Sequence, residues 1–209
     1  MLSALWISNQ IQESIATKKA LDQQCLGVIE QIAKSVVERL GAGKKLLIFG
    51  NGGSAADAQH LATELTVRYR ADRAAIAAIA LTTDTSALTA IANDYDFNEV
   101  FARQVLALGI AGDVLVALST SGSSPNVLNA VTAARERGLT VVALSGRDGG
   151  PLAQQADIAL TVPASTSDRV QEVHITLGHI LCGLVEAALF PESVAPAPHV
   201  HVSRSAREP

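Results

Sequence analysis

The chain is long enough for one well-buried domain, and its overall charge is slightly negative. It has 209 residues, of which 48% are hydrophobic and 17% are charged, with a formal net charge of −4. This length suits a single domain and is too short for two full ones. The charge balance excludes a general basic field that would attract nucleic acid or anionic lipid, so a bound phosphate group must be held locally.

The two cysteines, Cys25 and Cys182, lie in apolar helical patterns and outside any metal-ligand spacing. We expect them to be buried free thiols in a reducing compartment. The first residues lack a basic segment followed by a long apolar core, and no apolar run approaches the length of a membrane span. These features predict a cytoplasmic protein.

The first forty residues show apolar side chains at helical spacing. One series contains Ile7, Ile11 and Ile15, and a second runs from Val28 to Leu40. The pattern predicts two helices, or one bent helix, ending near Gly41. This much helix before the first strand exceeds what one sheet face needs, so we expect part of its apolar stripe to pack against another subunit.

A glycine turn connects the first apolar strand pattern to an Ala-rich helical pattern. The run Leu46–Phe49 is followed by Asn51-Gly52-Gly53, and such a junction favours an anion because the first helical turn has unpaired N–H groups. His60 and Glu64 are four residues apart on this helix, so they share one face and could share a metal ion or a reacting proton. A solvated surface pair fits the same spacing.

Four further apolar runs predict strands, and each alternates with a helical pattern. They cover residues 76–81, 114–118, 140–144 and 158–162. A helix is predicted over Phe97–Leu108. The fold class is therefore α/β, with a five-stranded parallel sheet flanked by helices on both faces and long N-terminal helices, and ligands are expected at the carboxyl ends of the strands.

The third predicted strand ends in a loop rich in hydroxyl side chains. Five of the six residues in Ser119–Ser124 carry a hydroxyl group, and Pro125 follows at a position that suits the first turn of a helix capped by Ser124. Hydroxyls and backbone N–H groups that converge there favour phosphate or sugar binding. An ordinary serine-rich helix cap is the alternative.

The last long helix is predicted to be capped by Ser167-Asp168, and it carries several polar side chains. Gln171 and His174 are three residues apart and share a face, whereas Gln171 and His179 are eight apart, a rise of about 12 Å on a straight helix. Spacing alone therefore does not select His179 as a partner of Gln171. The two could flank one metal ion only by leaning together or by coming from different chains.

Six short motifs occur in order along the chain. They are Gly50–Ser54, Asp57–His60 with Glu64, Ala92–Asp94, Ser119–Gly122, Gly146–Gly150 and Arg169–His174. Together they resemble the phosphoheptose isomerase family, whose members are sugar-isomerase (SIS) domain enzymes, over about residues 10–190. The resemblance implies a single SIS domain with a flavodoxin-like three-layer sandwich.

The resemblance also implies an activity, which is an aldose–ketose isomerisation by enediol proton transfer. It would interconvert sedoheptulose 7-phosphate and D-glycero-D-manno-heptose 7-phosphate, the first step toward ADP-heptose or GDP-heptose precursors, including those of lipopolysaccharide. The family's homotetramers have active sites between subunits, so a homotetramer is implied here. Neither a nucleic acid nor a membrane is expected as a partner.

Individual residue roles follow from the same resemblance. Glu64 would be the general base and His179 the acid. One Zn²⁺ per subunit would be held by His60, Glu64, Gln171 and His179. The substrate would contact Asn51, Gly52, Gly53, Glu64, Asn93, Asp94, Ser119, Thr120, Ser121, Ser124 and Gln171. A carboxylate bound to zinc is a poorer base, so the two roles given to Glu64 compete.

Three segments are predicted along the chain. Residues 1–42 form an N-terminal helical segment that packs on the core and on other subunits, residues 43–190 form the SIS domain, and residues 191–209 form a Pro/Ala/Ser-rich disordered tail. His199 and His201 make an HxH pair in this tail. We do not expect a physiological metal site there.

Two other functions share this backbone pattern. One is a noncatalytic SIS-domain protein that binds a partner such as the replication initiator, but such relatives lack the glutamate and histidine that correspond to Glu64 and His179. The other is a sugar-phosphate sensor, for which this sequence shows no DNA-binding segment and a net negative charge. The presence of both ionisable residues favours the enzyme.

Overall fold

The sheet forms from five buried apolar runs, all parallel. The computed structural model describes residues 3–193. The strands are β1 (Leu46–Gly50), β2 (Ala78–Ala80), β3 (Val114–Ser119), β4 (Thr140–Gly146) and β5 (Ile158–Val162). Their spatial order is β2-β1-β3-β4-β5, which is the flavodoxin-like order, with a switch point between β1 and β3. The prediction of a five-stranded parallel sheet is confirmed.

Helices connect and cover these strands. They are α1 (Ala4–Lys19), α2 (Gln23–Gly41), α3 (Gly53–Thr66), α4 (Thr85–Asp94), α5 (Ala102–Leu108), α6 (Pro125–Glu136), α7 (Gly150–Gln155) and α8 (Ser167–Leu189). The N-terminal pattern forms two separate helices, because Asp22 caps α2 by accepting a hydrogen bond from the backbone N–H of Cys25 at 3.0 Å.

The two faces of the sheet bury separate apolar clusters. On β1, Leu46 and Ile48 face the cluster that includes α2, α3 and α8, whereas Leu47 and Phe49 face the cluster that includes α5, α6 and α7. Successive side chains of a strand point to opposite faces, so a strand covered on both sides is apolar throughout. The result is the three-layer arrangement of helix, sheet and helix.

Helix α8 corrects the expectation that no apolar segment approaches the length of a membrane span. Its length and mean hydropathy of 1.3 would allow it to cross a membrane. Here Val173, Leu177 and Val185 are buried in the core cluster that α8 shares with α2 and α3. Cys182 is also buried on α8, as predicted, but Cys25, in the first turn of α2, is only half-buried.

Some predicted boundaries are wrong for local reasons. Strand β2 is shorter than predicted because it lies at the sheet edge and pairs only with β1. The predicted helix over Phe97–Leu108 is split into a 3₁₀ turn at Phe97–Glu99 and helix α5. Asp96 caps the 3₁₀ turn by accepting a hydrogen bond from the N–H of Asn98 at 2.7 Å. Helix α8 has Thr166 at its N-cap, one residue before the predicted cap. The predictions for the tail, including His199 and His201, fall outside the described residues.

Candidate active site

The loop after β1 and the start of α6 are joined by a pair of amide side chains. The Nδ2 group of Asn51 donates to Oδ1 of Asn126 at 2.8 Å, and Nδ2 of Asn126 donates to Oδ1 of Asn51 at 2.9 Å. Asn126 is buried, with 2% of its surface exposed. The loop after β1 and the start of α6 therefore meet at one edge of the sheet, as predicted, but they are joined by Asn126, which was not predicted as a site residue.

The serine-rich loop is curled by its own hydroxyl groups. The Ser119 hydroxyl oxygen accepts a hydrogen bond from the N–H of Gly122 at 3.2 Å. The Ser121 hydroxyl oxygen accepts from the N–H of Ser123 at 3.3 Å and from its hydroxyl at 3.2 Å. The N–H groups of Gly122 and Ser123 are thus paired within the loop, whose hydroxyl side chains follow the carboxyl end of β3 and are of a type that can donate to an anion.

The hydroxyl groups of Thr120 and Ser124 in the same loop differ in what they contact. The Thr120 hydroxyl donates to the hydroxyl oxygen of Ser167, the first residue of α8, at 3.2 Å. Ser124 is at the N-cap of α6, with Pro125 in its first turn, as predicted. The Ser124 side chain makes no capping hydrogen bond, so its hydroxyl is not committed to the helix.

The loop between β4 and α7 supports the serine-rich loop from behind. Gly122 has a φ of +65°, and a Cβ atom there would overlap the carbonyl group of Gly149, so the two backbones are in direct contact. His174 approaches the end of β4, where its Nε2 lies 3.1 Å from the carbonyl oxygen of Ser145. Because a carbonyl only accepts, Nε2 carries the proton. Burial lowers the pKa of His174 and so favours its neutral form.

Two histidines and a glutamate converge where α3 packs on α8. The Nε2 atoms of His60 and His179 are 2.7 Å apart, and Oε1 of Glu64 is 3.4 Å from Nε2 of His60. All three ligand atoms lie within 4.8 Å of one another. The helices can come this close because Gly178 has no side chain. A Cβ atom there would be 2.6 Å from the Leu61 side chain. This group has the donor types and the spacing to hold a metal ion.

His174 has no part in that group, although its spacing from Gln171 favoured it over His179. It is fully buried and directed toward β4. The Gln171 amide lies directly against Gly53, at the first turn of α3. His179 is two turns further along α8, a separation of about 12 Å. One copy of the chain therefore brings together three of the four predicted metal-binding side chains.

Asn93 and Asp94 lie at the end of α4 and are exposed. Nδ2 of Asn93 donates to Oδ1 of Asp94 at 2.8 Å. Within residues 3–193, no hydrogen bond joins either side chain to the His60, Glu64 and His179 group or to the serine-rich loop. Their contact with a substrate stays a prediction.

Asp57 is a buried carboxyl group that the sequence analysis did not assign to the site. It lies one turn before His60 on α3, is 8% exposed, and within the described chain its Oδ2 has no hydrogen-bond partner. Burial raises the pKa of Asp57 to about 6, an effect that the nearby His60 partly opposes. Two signals in the sequence could have indicated it: its place three residues before His60 and its presence in the Asp57–His60 motif.

Comparison with known proteins gives the family. Residues 10–146 match the SIS domain family. A phosphoheptose isomerase from Paramagnetospirillum magneticum is 50% identical, over 91% of this chain and 100% of that protein. The structure of a phosphoheptose isomerase from Neisseria gonorrhoeae is 48% identical with a TM-score of 0.82, over 87% of this chain and 97% of that one.

A second solved structure agrees with the first. The phosphoheptose isomerase from Francisella tularensis is 38% identical with a TM-score of 0.85, covering 88% of this chain and 98% of that one. These relatives are enzymes that match nearly their whole length, which separates this chain from the partner-binding and sensor alternatives. With its fold and its converging ionisable group, the chain belongs to the phosphoheptose isomerase family of SIS-domain proteins and is a phosphosugar isomerase.

Proposed function

We propose that this isomerase interconverts sedoheptulose 7-phosphate and D-glycero-D-manno-heptose 7-phosphate. The observation that carries the proposal is the convergence of His60, Glu64 and His179 in a chain whose relatives are phosphoheptose isomerases. Such a step would supply precursors of ADP-heptose or GDP-heptose, including those used for lipopolysaccharide. The two free thiols support a reducing compartment, which we take to be the cytoplasm.

The reaction needs one base and one acid. The base removes a proton from C1 of the ketose, and a proton returns to C2 of the enediol to give the aldose. We assign the base to the Glu64 carboxylate and the acid to His179. The spacing supports this assignment, because both lie within 4.8 Å of His60 and so can face neighbouring atoms of one substrate.

We further propose that the group holds one Zn²⁺ per subunit. Two imidazole nitrogens and a carboxylate oxygen fit the donor set that zinc prefers. His60, Glu64 and His179 would hold the ion, which would act as a Lewis acid toward the sugar carbonyl. Gln171 is the proposed fourth ligand. Because it lies against Gly53 in its own chain, it would reach this group from a second copy.

The remaining assignments concern substrate binding. We propose that Ser119, Thr120, Ser121 and Ser124 hold the phosphate group, that Asn51, Gly52 and Gly53 contact the sugar beside it, and that Asn93 and Asp94 hold sugar hydroxyls. The five hydroxyl groups of the curled loop support the phosphate assignment. Binding energy from the phosphate would hold the reacting carbons in register with Glu64 and His179.

The separation of these parts supports an active site between subunits. Glu64 follows Gly53 by eleven residues on α3, a rise of about 16 Å from the helix start beside the serine-rich loop. A loop from one copy facing the ionisable group of another would bring both onto one substrate. We propose the homotetramer for this reason.

The direct test follows aldose formation from sedoheptulose 7-phosphate by NMR. Metal-loaded wild type should form the aldose, and chelator should abolish turnover that added Zn²⁺ restores. Glu64→Gln should lower kcat by about 100-fold or more, because it removes the base and keeps the side-chain shape. Glu136→Gln makes the same chemical change on the exposed end of α6 and should leave kcat unchanged. Binding of the ketose without turnover by metal-loaded wild type would contradict the proposal.

A further inference from the structure

The segment that follows α3 is anchored by one buried carboxylate from the far end of α8. The Glu186 side chain is 1% exposed. Its oxygens accept hydrogen bonds from the backbone N–H groups of Tyr69 at 3.2 Å, Arg70 at 3.0 Å and Ala71 at 3.0 Å. A buried carboxylate must be well paired to be stable, and here it is paired mainly with the backbone of this one turn.

The same carboxylate holds Arg73, which in turn holds the end of α3. Nε of Arg73 donates to Glu186 at 3.1 Å. Its Nη1 donates to the carbonyl oxygen of Leu65 at 2.7 Å and its Nη2 to that of Glu64 at 2.8 Å. These carbonyls belong to the last turn of α3, which lacks helical donors, and a cation there is also favoured by the helix dipole. Arg73 therefore fixes the backbone of the proposed base.

The ring of Tyr69 reaches the other ionisable residue. It stacks on the imidazole of His179 with centroids 5.8 Å apart and an interplanar angle of 18°. Gly183, one turn after His179, leaves room for the ring, since a Cβ atom there would be only 3.3 Å from Cε1 of Tyr69. The guanidinium group of Arg70 lies over the Tyr69 ring at 5.0 Å from its centroid. The phenol ring is thus held beside His179.

We infer that Tyr69 is a positioning residue that sets the ring orientation of His179, and that Glu186 and Arg73 anchor it together with the backbone of Glu64. The inference rests on the proposed function, in which Glu64 and His179 are the base and the acid. One buried anchor would then fix both partners of the proton transfer, although Glu186 touches neither side chain.

The test compares Tyr69→Leu with Tyr69→Phe in the full-length protein. Phenylalanine keeps the stacking ring, whereas leucine removes it and leaves the backbone bonds to Glu186 in place. Three quantities are measured: the ¹H–¹³C resonance of the His179 Cε1–H group without metal, the affinity for Zn²⁺ by competition with a chromophoric chelator, and kcat and KM for the ketose phosphate. His179→Gln assigns the resonance.

We expect Tyr69→Phe to match wild type within about twofold in Zn²⁺ affinity and in kcat. Tyr69→Leu should move the His179 resonance and weaken Zn²⁺ binding by about tenfold, the usual scale for losing a residue that orients a metal ligand. It should lower kcat by a similar factor and leave KM unchanged. An unmoved resonance with wild-type Zn²⁺ affinity in Tyr69→Leu would overturn the inference.

Glu186→Gln tests the anchor, with its unfolding midpoint measured first. If the variant folds, it should shift the same His179 resonance and weaken Zn²⁺ binding, and a folded variant with wild-type values would remove Glu186 from the inference. If the variant does not fold, the comparison of Tyr69→Leu with Tyr69→Phe decides whether the inference holds. The resonance is read on metal-free protein without substrate, so a wild type that fails to turn over sedoheptulose 7-phosphate would contradict the proposed function and leave this test valid.

Discussion

Asp57 shows how one buried side chain can couple stability to pH near the proposed base. Its pKa is raised to about 6 by burial, so folding favours the neutral form. Below the pKa of the unfolded chain, near 3.8, both states are protonated and burial has no electrostatic cost. The cost grows as the pH rises from there toward about 6 and is fully present above it.

We therefore expect Asp57→Asn to stabilise the metal-free protein at pH 7 by about 1–3 kcal/mol, since a two-unit pKa shift corresponds to nearly 3 kcal/mol. The gain should disappear by pH 4. Thermal unfolding at fixed protein concentration measures the stability of both proteins at pH 7 and at pH 4. Asp72→Asn, at an exposed site, should change little at either pH. Equal or lower stability of Asp57→Asn at pH 7 would contradict this explanation of the pKa shift.

Residue-scale prediction from the sequence was best where the contact lies within one helix. The four-residue spacing of His60 and Glu64 predicted their shared face, and their side chains are 3.4 Å apart. The choice of His179 over His174 depended on the family resemblance, because spacing pointed the other way. The physical reason for the choice is the rotation of α8 about its axis, which buries His174 beside Ser145 and so keeps it away from His60 and Glu64. A helical pattern does not give that rotation when it is apolar on several sides.

At the scale of elements, a buried ion pair ties together the starts of β1 and β3. The Asp113 side chain is fully buried. It accepts hydrogen bonds from Nζ of Lys45 at 2.6 Å, from the backbone N–H of Lys45 at 3.1 Å and from the backbone N–H of Ile110 at 3.0 Å. Burial alone would raise the pKa of Asp113, but these donors together lower it. The pair lies at the opposite edge of the sheet from the serine-rich loop.

Asp113→Asn should reduce the free energy of unfolding by about 2–4 kcal/mol at pH 7, because the amide turns a donor toward Lys45 and Ile110 and leaves a cation unpaired. A group with a lowered folded pKa contributes stability above its unfolded pKa and loses it as the pH falls through the folded value. The difference in the free energy of unfolding between Asp113→Asn and wild type should therefore become smaller below about pH 4. Urea unfolding of both proteins between pH 7 and pH 2 measures this difference. A difference that stays constant down to pH 2 would contradict the pairing of Asp113 with Lys45.

The elements themselves were largely predictable, because most strands are apolar runs and several helices follow a glycine or a side chain that caps them. What the sequence could not give was the joining of elements far apart in the chain. The exchange between Asn51 and Asn126 crosses 75 residues, and the bonds of Glu186 to the Tyr69 turn cross more than a hundred. Neither pair has a local pattern, so both emerge only when the helices are packed on the sheet.

At the scale of the whole molecule, helix α1 presents an apolar stripe that residues 3–193 leave exposed. None of its residues is buried, and Trp6, Ile7 and Ile11 are more than half exposed. It is tied to α8 by polar contacts, in which Arg169 donates to the backbone and side-chain oxygens of Gln10. A cavity of about 470 Å³ between α2 and α8, partly lined by Val37, Leu184 and Ala188, offers further apolar surface. These features support the proposed homotetramer.

Ile11→Glu should disrupt the assembly, because it places a charge in the middle of the stripe. Light scattering after size-exclusion chromatography should show wild type as a tetramer at micromolar concentration and Ile11→Glu as smaller species with reduced isomerase activity. Asn9→Glu adds the same charge on the opposite face of α1, where the side chain is exposed, and should stay tetrameric. A monomeric, fully active wild type would contradict an active site shared between subunits.

The central claim is a proton transfer between adjacent sugar carbons by Glu64, and deuterium reports it most directly. Metal-loaded enzyme is incubated with sedoheptulose 7-phosphate in D₂O, and the product is analysed by ¹H and ¹³C NMR. We predict an aldose that carries deuterium at C2 with wild type and with Glu136→Gln, and none above background with Glu64→Gln. No aldose from wild type, or labelled aldose formed by Glu64→Gln at the wild-type rate, would contradict it.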